Sequence, residues 1–294
     1  MKLIRAALWF ALTTWLVATA FAQDTRVILL GTGTPNPDPE RMGPAVAVVS
    51  GEHVYLVDCG PGVVRRAAKA GLKMTQLTRV FVTHLHSDHT VGLPDLMFTP
   101  AVQGRPAGLD LYGPPGLEAM VGHVRAAWQA DVDIRLHGGE PSDEKSYAFR
   151  AHDVLPGEIY RDEAVRVTAI QVAHGTWKHA FGYRFEAKDK VIVISGDTTY
   201  CEQLLEAARG CDILVHEVYA QKGWEQRTPP WRAYHAAFHT SAPDLGKLAA
   251  GARPKKLVLY HQLTMGETPA QILQEVRAGF SGEVIYGNDL DVVR

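Results

Sequence analysis

Four potential metal ligands follow directly on an apolar strand candidate, and this run constrains the fold more than any other feature of the sequence. The strand candidate is Val80–Val82, and the ligands that follow in the pattern H-x-H-x-D-H are His84, His86, Asp88 and His89. Imidazole and carboxylate side chains suit zinc, iron or manganese. Because the end of a strand fixes the loop behind it, alternate residues of this run can face different metal ions. The fold must therefore leave this strand end open to further ligands.

Short β-branched runs and stretches of helical period fill the rest of the chain. The strand candidates are Val27–Leu30, Ala45–Val49, Val54–Val57, Val80–Val82, Val165–Val172, Val191–Ile194, Ile213–Val215 and Leu257–Tyr260. The helix candidates are Val63–Ala70, Leu117–Ala130, Glu202–Ala208, Asp244–Ala250 and Ala270–Ala278. Strands come in adjacent pairs early and then alternate with helices. This order predicts an α/β domain with two sheets, each covered by helices on its outer face.

The first 22 residues have the features of an export signal. Lys2 and Arg5 precede an apolar stretch from Ala6 to Ala20, and Ala20-Phe21-Ala22 fits the A-x-A cleavage pattern. We therefore expect residues 1–22 to be a signal peptide and residues 23–294 to be one domain, periplasmic or secreted. An uncleaved anchor is the alternative. No other segment is apolar enough to cross a bilayer, so no membrane contact is expected after cleavage.

Charge and cysteine content narrow the expected partners. With 30 basic and 32 acidic residues, the chain has no surplus positive field for a polyanion, so nucleic acid is not an expected partner. The three cysteines, Cys59, Cys201 and Cys211, are too few for a disulfide framework and are expected to be free and partly buried. A Cys201–Cys211 pair stays open as the alternative, and a homodimer stays open as the assembly state.

The H-x-H-x-D-H run resembles the signature of the metallo-β-lactamase-fold hydrolases, in which a His, an Asp and a final His follow. The matching residues here are His174, Asp197 and His261. The resemblance implies an αββα sandwich of two mixed sheets flanked by helices, with two divalent metal ions, zinc being the expected metal. It implies that His84, His86 and His174 hold the first ion. Asp88, His89 and His261 would hold the second, and Asp197 would bridge both.

Two further segments resemble the ribonuclease Z branch of these hydrolases. They are His216-Glu217, after the strand candidate Ile213–Val215, and His239-Thr240-Ser241, which lies 22 residues before His261. The resemblance implies that His239 protonates the leaving oxygen and that His216 and Glu217 support the metal ligands. His239 could instead be only the neighbour of a helix cap. Asp58 is expected either to orient the His-rich loop or to be a plain turn residue.

One departure from that branch decides the expected substrate. Ribonuclease Z proteins carry a long insertion after the Phe-Gly-Tyr-Arg segment that grips transfer RNA, whereas here Phe181–Arg184 reaches Val191 within a few residues. We therefore expect an exported, arylsulfatase-like or phosphodiesterase-like hydrolase of small sulfate or phosphate esters. Asp88 would orient the nucleophile and His239 would act as the acid. The alternatives are a ribonuclease Z-like tRNA 3′ endonuclease, a lactone or thioester hydrolase, and a metal-binding module without activity.

The segment Gln221–Arg232 is expected to be irregular. Its two tryptophans, Trp224 and Trp231, could form a lid over an aromatic leaving group or could simply pack in the core or on the surface.

Overall fold

Two seven-stranded sheets pack face to face in the computed structural model, which describes residues 24–294. The expected signal peptide, residues 1–22, lies outside the described residues. The strands are β1 (Arg26–Gly31), β2 (Ala45–Ser50), β3 (His53–Val57), β4 (Arg79–Phe81), β5 (Leu109–Gly113), β6 (Phe149–Asp153), β7 (Gly157–Arg161), β8 (Val165–Gln171), β9 (Phe181–Ala187), β10 (Val191–Ile194), β11 (Ile213–Tyr219), β12 (Lys256–Leu263), β13 (Glu283–Tyr286) and β14 (Val292–Val293). The helices are α1 (Val63–Lys69), α2 (Ser87–Thr90), α3 (Leu93–Val102), α4 (Leu117–Ala127), α5 (Gln129–His137), α6 (Glu202–Ala208), α7 (Gln221–Glu225), α8 (Pro229–Phe238), α9 (Ala242–Ala252) and α10 (Pro269–Arg277).

Each sheet is antiparallel in one half and parallel in the other. The first sheet has the order β14-β1-β2-β3-β4-β5-β6, with parallel pairing from β3 onwards. The second has the order β13-β12-β11-β10-β9-β8-β7, with parallel pairing from β10 to β13. The carboxyl ends of parallel strands meet at one edge of a sheet. The segment that follows β10 is therefore brought to the same edge of the second sheet as the later part of β12. The segment that follows β4, in the first sheet, meets them there, because His84 Nε2 lies 3.9 Å from Asp197 Oδ2.

Alternate side chains of the strands serve two different cores. In β2, Val46 and Val48 face the other sheet, whereas Ala47 and Val49 face the helices outside. The outer core of the first sheet includes residues of α1, α3 and α4, and that of the second sheet includes residues of α6, α9 and α10. The predicted arrangement of two mixed sheets between helical layers is confirmed.

Two predictions about the helical regions are wrong. The expected helix Leu117–Ala130 breaks at Trp128, which has φ −105° and ψ 13° and separates α4 from α5. The segment Gln221–Arg232 is not irregular, because it contains α7 and the start of α8. Pro229 and Pro230 occupy the first turn of α8, where a missing backbone N–H removes no helical hydrogen bond.

The connection between β9 and β10 is short, as the sequence indicated. The two strands pair antiparallel and are joined by residues 188–190, so the described chain has no insertion here. Cys59, Cys201 and Cys211 are buried and unpaired. Within residues 24–294, no helix combines the length and apolar character needed to cross a membrane.

Candidate metal centre

The predicted ligands come from both sheets and converge at one place. His84, His86, Asp88 and His89 lie in the segment behind β4, where α2 begins. His174 lies between β8 and β9, Asp197 follows β10, and His261 lies in β12. All of these side chains are buried except that of His86, which is partly exposed. Ligands that are far apart in the sequence thus form one cluster, because they lie at or near strand ends of the two sheets.

The first group consists of three histidines and one carboxylate. His84 Nε2 lies 2.9 Å from His86 Nδ1, and His174 Nε2 lies 3.2 Å from the same His86 nitrogen. Asp197 Oδ2 is 3.9 Å from His84 Nε2. One ligand atom from each of the four residues lies within 4.8 Å of the others, so the group can hold one ion.

The second group is built around Asp88. Asp88 Oδ2 lies 3.2 Å from His261 Nε2 and 3.6 Å from His89 Nε2. One ligand atom from each of these three residues also lies within 4.8 Å of the others. Asp197 reaches this group too, with Oδ1 3.4 Å from His89 Nε2 and Oδ2 3.5 Å from His261 Nε2.

A β-bulge directs His261 into the cluster. Along the pairing of β11 with β12, Glu217 pairs with Tyr260 and Val218 with Gln262, so His261 is the extra residue. Its φ of 43° is in the left-handed region, which residues other than glycine rarely adopt. Such a conformation inside a strand costs free energy and is typical of functional sites.

Buried polar atoms without partners support a metal at this place. Among residues 24–294, His89 Nε2 and Asp197 Oδ1 are buried and make no hydrogen bond. Leaving such groups unsatisfied is costly, and a cation between them would satisfy both. Nitrogen and carboxylate oxygen are also the donors that zinc takes in proteins. The residues present therefore fit a pair of metal ions.

A second set of polar residues holds the ligands in place. Asp58, also in the left-handed region with φ 62°, has its Oδ2 2.8 Å from His89 Nδ1. Its other oxygen accepts the backbone N–H of Thr83 at 2.7 Å. The hydroxyl of Thr83 in turn lies 3.0 Å from His84 Nδ1. Asp58 thus contacts the His-rich segment at both ends, which is the orienting geometry expected for it.

Two further contacts, which the motif does not reveal, hold His86 and His174 in place. The indole N–H of Trp177 donates to His86 Nε2 at 3.0 Å. His174 Nδ1 lies 2.7 Å from the carbonyl oxygen of Phe238, at the end of α8. The position of Trp177, three residues after His174, was the only signal in the sequence for the first contact.

His239 and Glu217 lie behind Asp197. His239 Nδ1 is 3.4 Å from Glu217 Oε2 and 3.8 Å from Asp197 Oδ2. Glu217 Oε1 accepts the backbone N–H of Thr240 at 2.7 Å. His216 and Glu217 lie within β11, which extends to Tyr219, rather than after a strand that ends at Val215. That expectation is wrong because the polar pair is buried and continues the strand pairing with β12.

Burial dominates the electrostatics of the centre. It lowers the pKa of His84 well below its ordinary value and that of His174 to about 4, which keeps both imidazoles neutral and able to bind a cation. Burial, reinforced by the nearby charge of Asp197, raises the pKa of Glu217 well above its ordinary value. Burial alone would raise the pKa of Asp197, but His261 and His89 lower it well below the ordinary value.

A cavity of about 260 Å³ opens onto the cluster. His86, Asp88, Asp197, His239 and His261 lie on its floor, and residues 34–36 and α8 form its walls. Trp231 is one of the wall residues, as a lid residue would be. Trp224 is not, because its ring packs near Tyr219 and its indole N–H donates to the carbonyl oxygen of Arg232 at 3.0 Å.

Comparison with known proteins places this geometry in a family. A family model described as a β-lactamase superfamily domain matches residues 53–262. The chain is 33% identical over 271 residues to ribonuclease Z of Mycobacterium bovis, covering 90% of this chain and 96% of that protein. It is 35% identical over 269 residues to ribonuclease Z of a Mycobacterium species, strain KMS, covering 90% and 94%.

Solved structures show the same fold. A metallo-β-lactamase fold protein from Bacillus subtilis superposes with a TM-score of 0.71 at 19% identity, over 92% of this chain and 98% of that one. The short form of human tRNase Z superposes with a TM-score of 0.68 at 24% identity, again over 92% and 98%.

The expectation of an arylsulfatase-like enzyme for small esters that does not bind nucleic acid is wrong, because curated relatives over most of the chain are named ribonuclease Z. The absence of the insertion does not distinguish this chain from proteins named ribonuclease Z. The 271-residue alignment spans nearly all of both proteins, so the Mycobacterium bovis protein has no room for a long insertion either. Net charge also does not predict whether the protein binds nucleic acid, because it averages over the whole surface and does not describe the electrostatic field at one cavity. The chain belongs to the β-lactamase superfamily, as a metal-dependent hydrolase of ester bonds related to proteins named ribonuclease Z.

Proposed function

We propose that this protein is a ribonuclease Z-like endonuclease that hydrolyses phosphodiester bonds of RNA at a site for two metal ions. The observation that carries the proposal is the position of Asp197, whose carboxylate lies within 4 Å of His84 on one side and of His89 and His261 on the other. The relatives named ribonuclease Z support RNA as the substrate.

In this proposal, each of the two groups of ligands would hold one metal ion. His84, His86 and His174 would hold one ion and Asp88, His89 and His261 the other, with Asp197 between them; zinc suits these donors. When bound, such a pair of ions lowers the pKa of water and stabilises the negative charge that develops on a phosphodiester.

Asp88 and His239 would handle the protons of the reaction. Both side chains line the cavity, so both can face a bound phosphodiester. Asp88 would orient the attacking water and accept its proton. His239 would donate a proton to the leaving oxygen, and Glu217 Oε2 lies 3.4 Å from its Nδ1.

A cleavage assay tests this function. Metal-loaded protein is incubated with a 5′-labelled tRNA precursor that carries a 3′ extension, with and without chelator. We expect a defined shortened product that chelator abolishes and added Zn²⁺ restores. Asp197→Ala, purified in the same way, controls for contaminating nucleases. Intact RNA, with protein that still hydrolyses bis(p-nitrophenyl) phosphate, would reject the proposal.

We also propose that residues 1–22 are a signal peptide and that the mature enzyme, residues 23–294, acts in the periplasm or outside the cell. Lys2, Arg5, the apolar stretch and the A-x-A pattern at Ala20–Ala22 support it.

A further inference from the structure

We propose that a second cavity, next to the metal centre, binds one nucleotide of the substrate by stacking its base on Trp231 and pairing its phosphate with Arg227. This inference rests on the proposed function and extends it, because it names what the enzyme holds beside the bond that is cleaved.

The second cavity has a volume of about 390 Å³ and shares part of its lining with the cavity over the metal centre. Its lining includes Arg41, Arg227 and Gln262. Thr34, Asn36, Trp231, His235 and Leu263 line both cavities. A polymer whose phosphodiester lies over Asp197 can therefore extend into the second cavity without leaving the protein surface.

Trp231 provides a flat apolar face at the junction of the two cavities. The indole stacks on the ring of His235, with ring centroids 5.6 Å apart and an interplanar angle of 27°. Tyr234 meets it edge-on at 5.7 Å. These contacts hold the ring on α8, yet 56% of Trp231 remains exposed. An exposed, supported aromatic ring beside a cation is the arrangement on which single-stranded nucleic acids stack their bases.

Arg227 is the arginine of this cavity that is free to bind a phosphate. Arg41 is already engaged, because its guanidinium donates to the carbonyl oxygen of Thr32 at 2.6 Å and also contacts Gln262 Oε1. Arg227 is exposed and forms no ion pair within the part of the chain that the structure describes. The one carboxylate in the lining, Asp38, accepts the backbone N–H of Glu40 at 3.0 Å.

Equilibrium binding tests the stacking. Metal-loaded protein is titrated against a short fluorescein-labelled, phosphorothioate-linked RNA, which keeps its charge and resists cleavage, and anisotropy gives the Kd. We expect Trp231→Ala to raise the Kd on the order of 10-fold and Trp231→Phe to keep most of the affinity. Trp128→Ala is the matched control, because Trp128 is also exposed but lines a different cavity, with Phe98.

Salt dependence tests the phosphate contact. Removing one ionic contact to a single strand should flatten the slope of log Kd against log salt by about 0.7. We expect this change for Arg227→Ala. We expect none for Arg125→Ala, since Arg125 is an exposed residue of α4 that lines neither cavity.

The outcomes separate this inference from the proposed function. An unchanged Kd for Trp231→Ala, or an equal loss for Trp231→Phe, would overturn the subsite even if the RNA is cleaved. RNA that binds through Trp231 but is never cleaved by metal-loaded protein would support the subsite and overturn the proposed function. RNA that does not bind the wild-type protein would overturn both.

Discussion

Removal of the Asp197 carboxylate should weaken metal binding at both ligand groups. Its two oxygens approach His89, His261 and His84, whereas His261 is not among the ligands of the first group. We therefore expect Asp197→Ala to lose both ions and to reduce kcat/KM more than about 100-fold, and His261→Ala to retain close to one ion. Elemental analysis of the two purified variants measures this. Greater metal loss in His261→Ala than in Asp197→Ala would refute the bridging position.

His239 should matter most when the leaving group is poor. An RNA alkoxide needs a proton, whereas p-nitrophenoxide leaves readily without one, so we expect His239→Ala to slow RNA cleavage by about 10²–10⁴-fold. The loss with bis(p-nitrophenyl) phosphate should be distinctly smaller, and the metal content should stay near wild type. Steady-state kinetics with both substrates decides. An equal loss on both substrates would indicate a positioning role rather than proton donation.

At the residue scale, the sequence predicts a set of ligands that the structure brings together, but not how these side chains reach one another. His174, Asp197 and His261 are identified through the resemblance to the metallo-β-lactamase-fold hydrolases, and each also lies behind a strand candidate. The bulge at His261 and the contact of Trp177 with His86 depend on pairing and packing between distant segments. No local pattern encodes them.

At the element scale, a partly buried polar contact, called here the polar clamp, joins the two sheets. Asp162 accepts hydrogen bonds from Tyr55 of β3 at 2.7 Å and from Tyr160 of β7 at 2.8 Å. We expect Asp162→Ala to lower the free energy of unfolding by about 2–3 kcal/mol, because two tyrosine hydroxyls lose their acceptor. Asp133→Ala, an exposed change on α5, should stay within about 0.5 kcal/mol. Urea unfolding compares them, and equal effects would disprove the clamp.

The same carboxylate predicts an acid dependence. Burial alone would raise the pKa of Asp162, but hydrogen bonds from Tyr55, the backbone of Val165 and Tyr160 lower it below the ordinary value of 3.8. A lowered pKa in the folded state means that the stabilisation is complete above the unfolded value and is lost as the pH falls through the folded one. The difference in stability between wild type and Asp162→Ala should therefore shrink below about pH 4.

Strands and helices with strong local patterns were predictable, and those defined by packing were not. Val191–Ile194 and Glu202–Ala208 agree with β10 and α6, because a β-branched run and an Ala- and Leu-rich run have clear periods. Strand β7 has no buried residue, so its sequence shows no alternation. Helix α8, which forms a wall of the cavity, begins with two prolines and starts within Gln221–Arg232, a segment for which the sequence predicts irregular structure.

At the scale of the whole molecule, the prediction of export is independent of the proposed catalytic activity. The order of charge, apolar stretch and A-x-A site predicts a mature N-terminus at Gln23. Mass spectrometry of the protein from its native host measures this terminus, with the full-length chain as the mass standard. A cytoplasmic form that retains Met1 would refute export and leave the proposed activity untouched.

In the proposed mechanism, two ions per chain, shared through Asp197, enable RNA cleavage. The most direct measurement is a titration of Zn²⁺ into chelator-stripped protein, with bound metal and cleavage of the 3′-extended tRNA precursor followed in the same samples. We predict that cleavage is absent at the start, rises with bound Zn²⁺ and reaches its plateau at two ions per chain. Full cleavage by stripped protein, or two bound ions with intact RNA, would refute this mechanism.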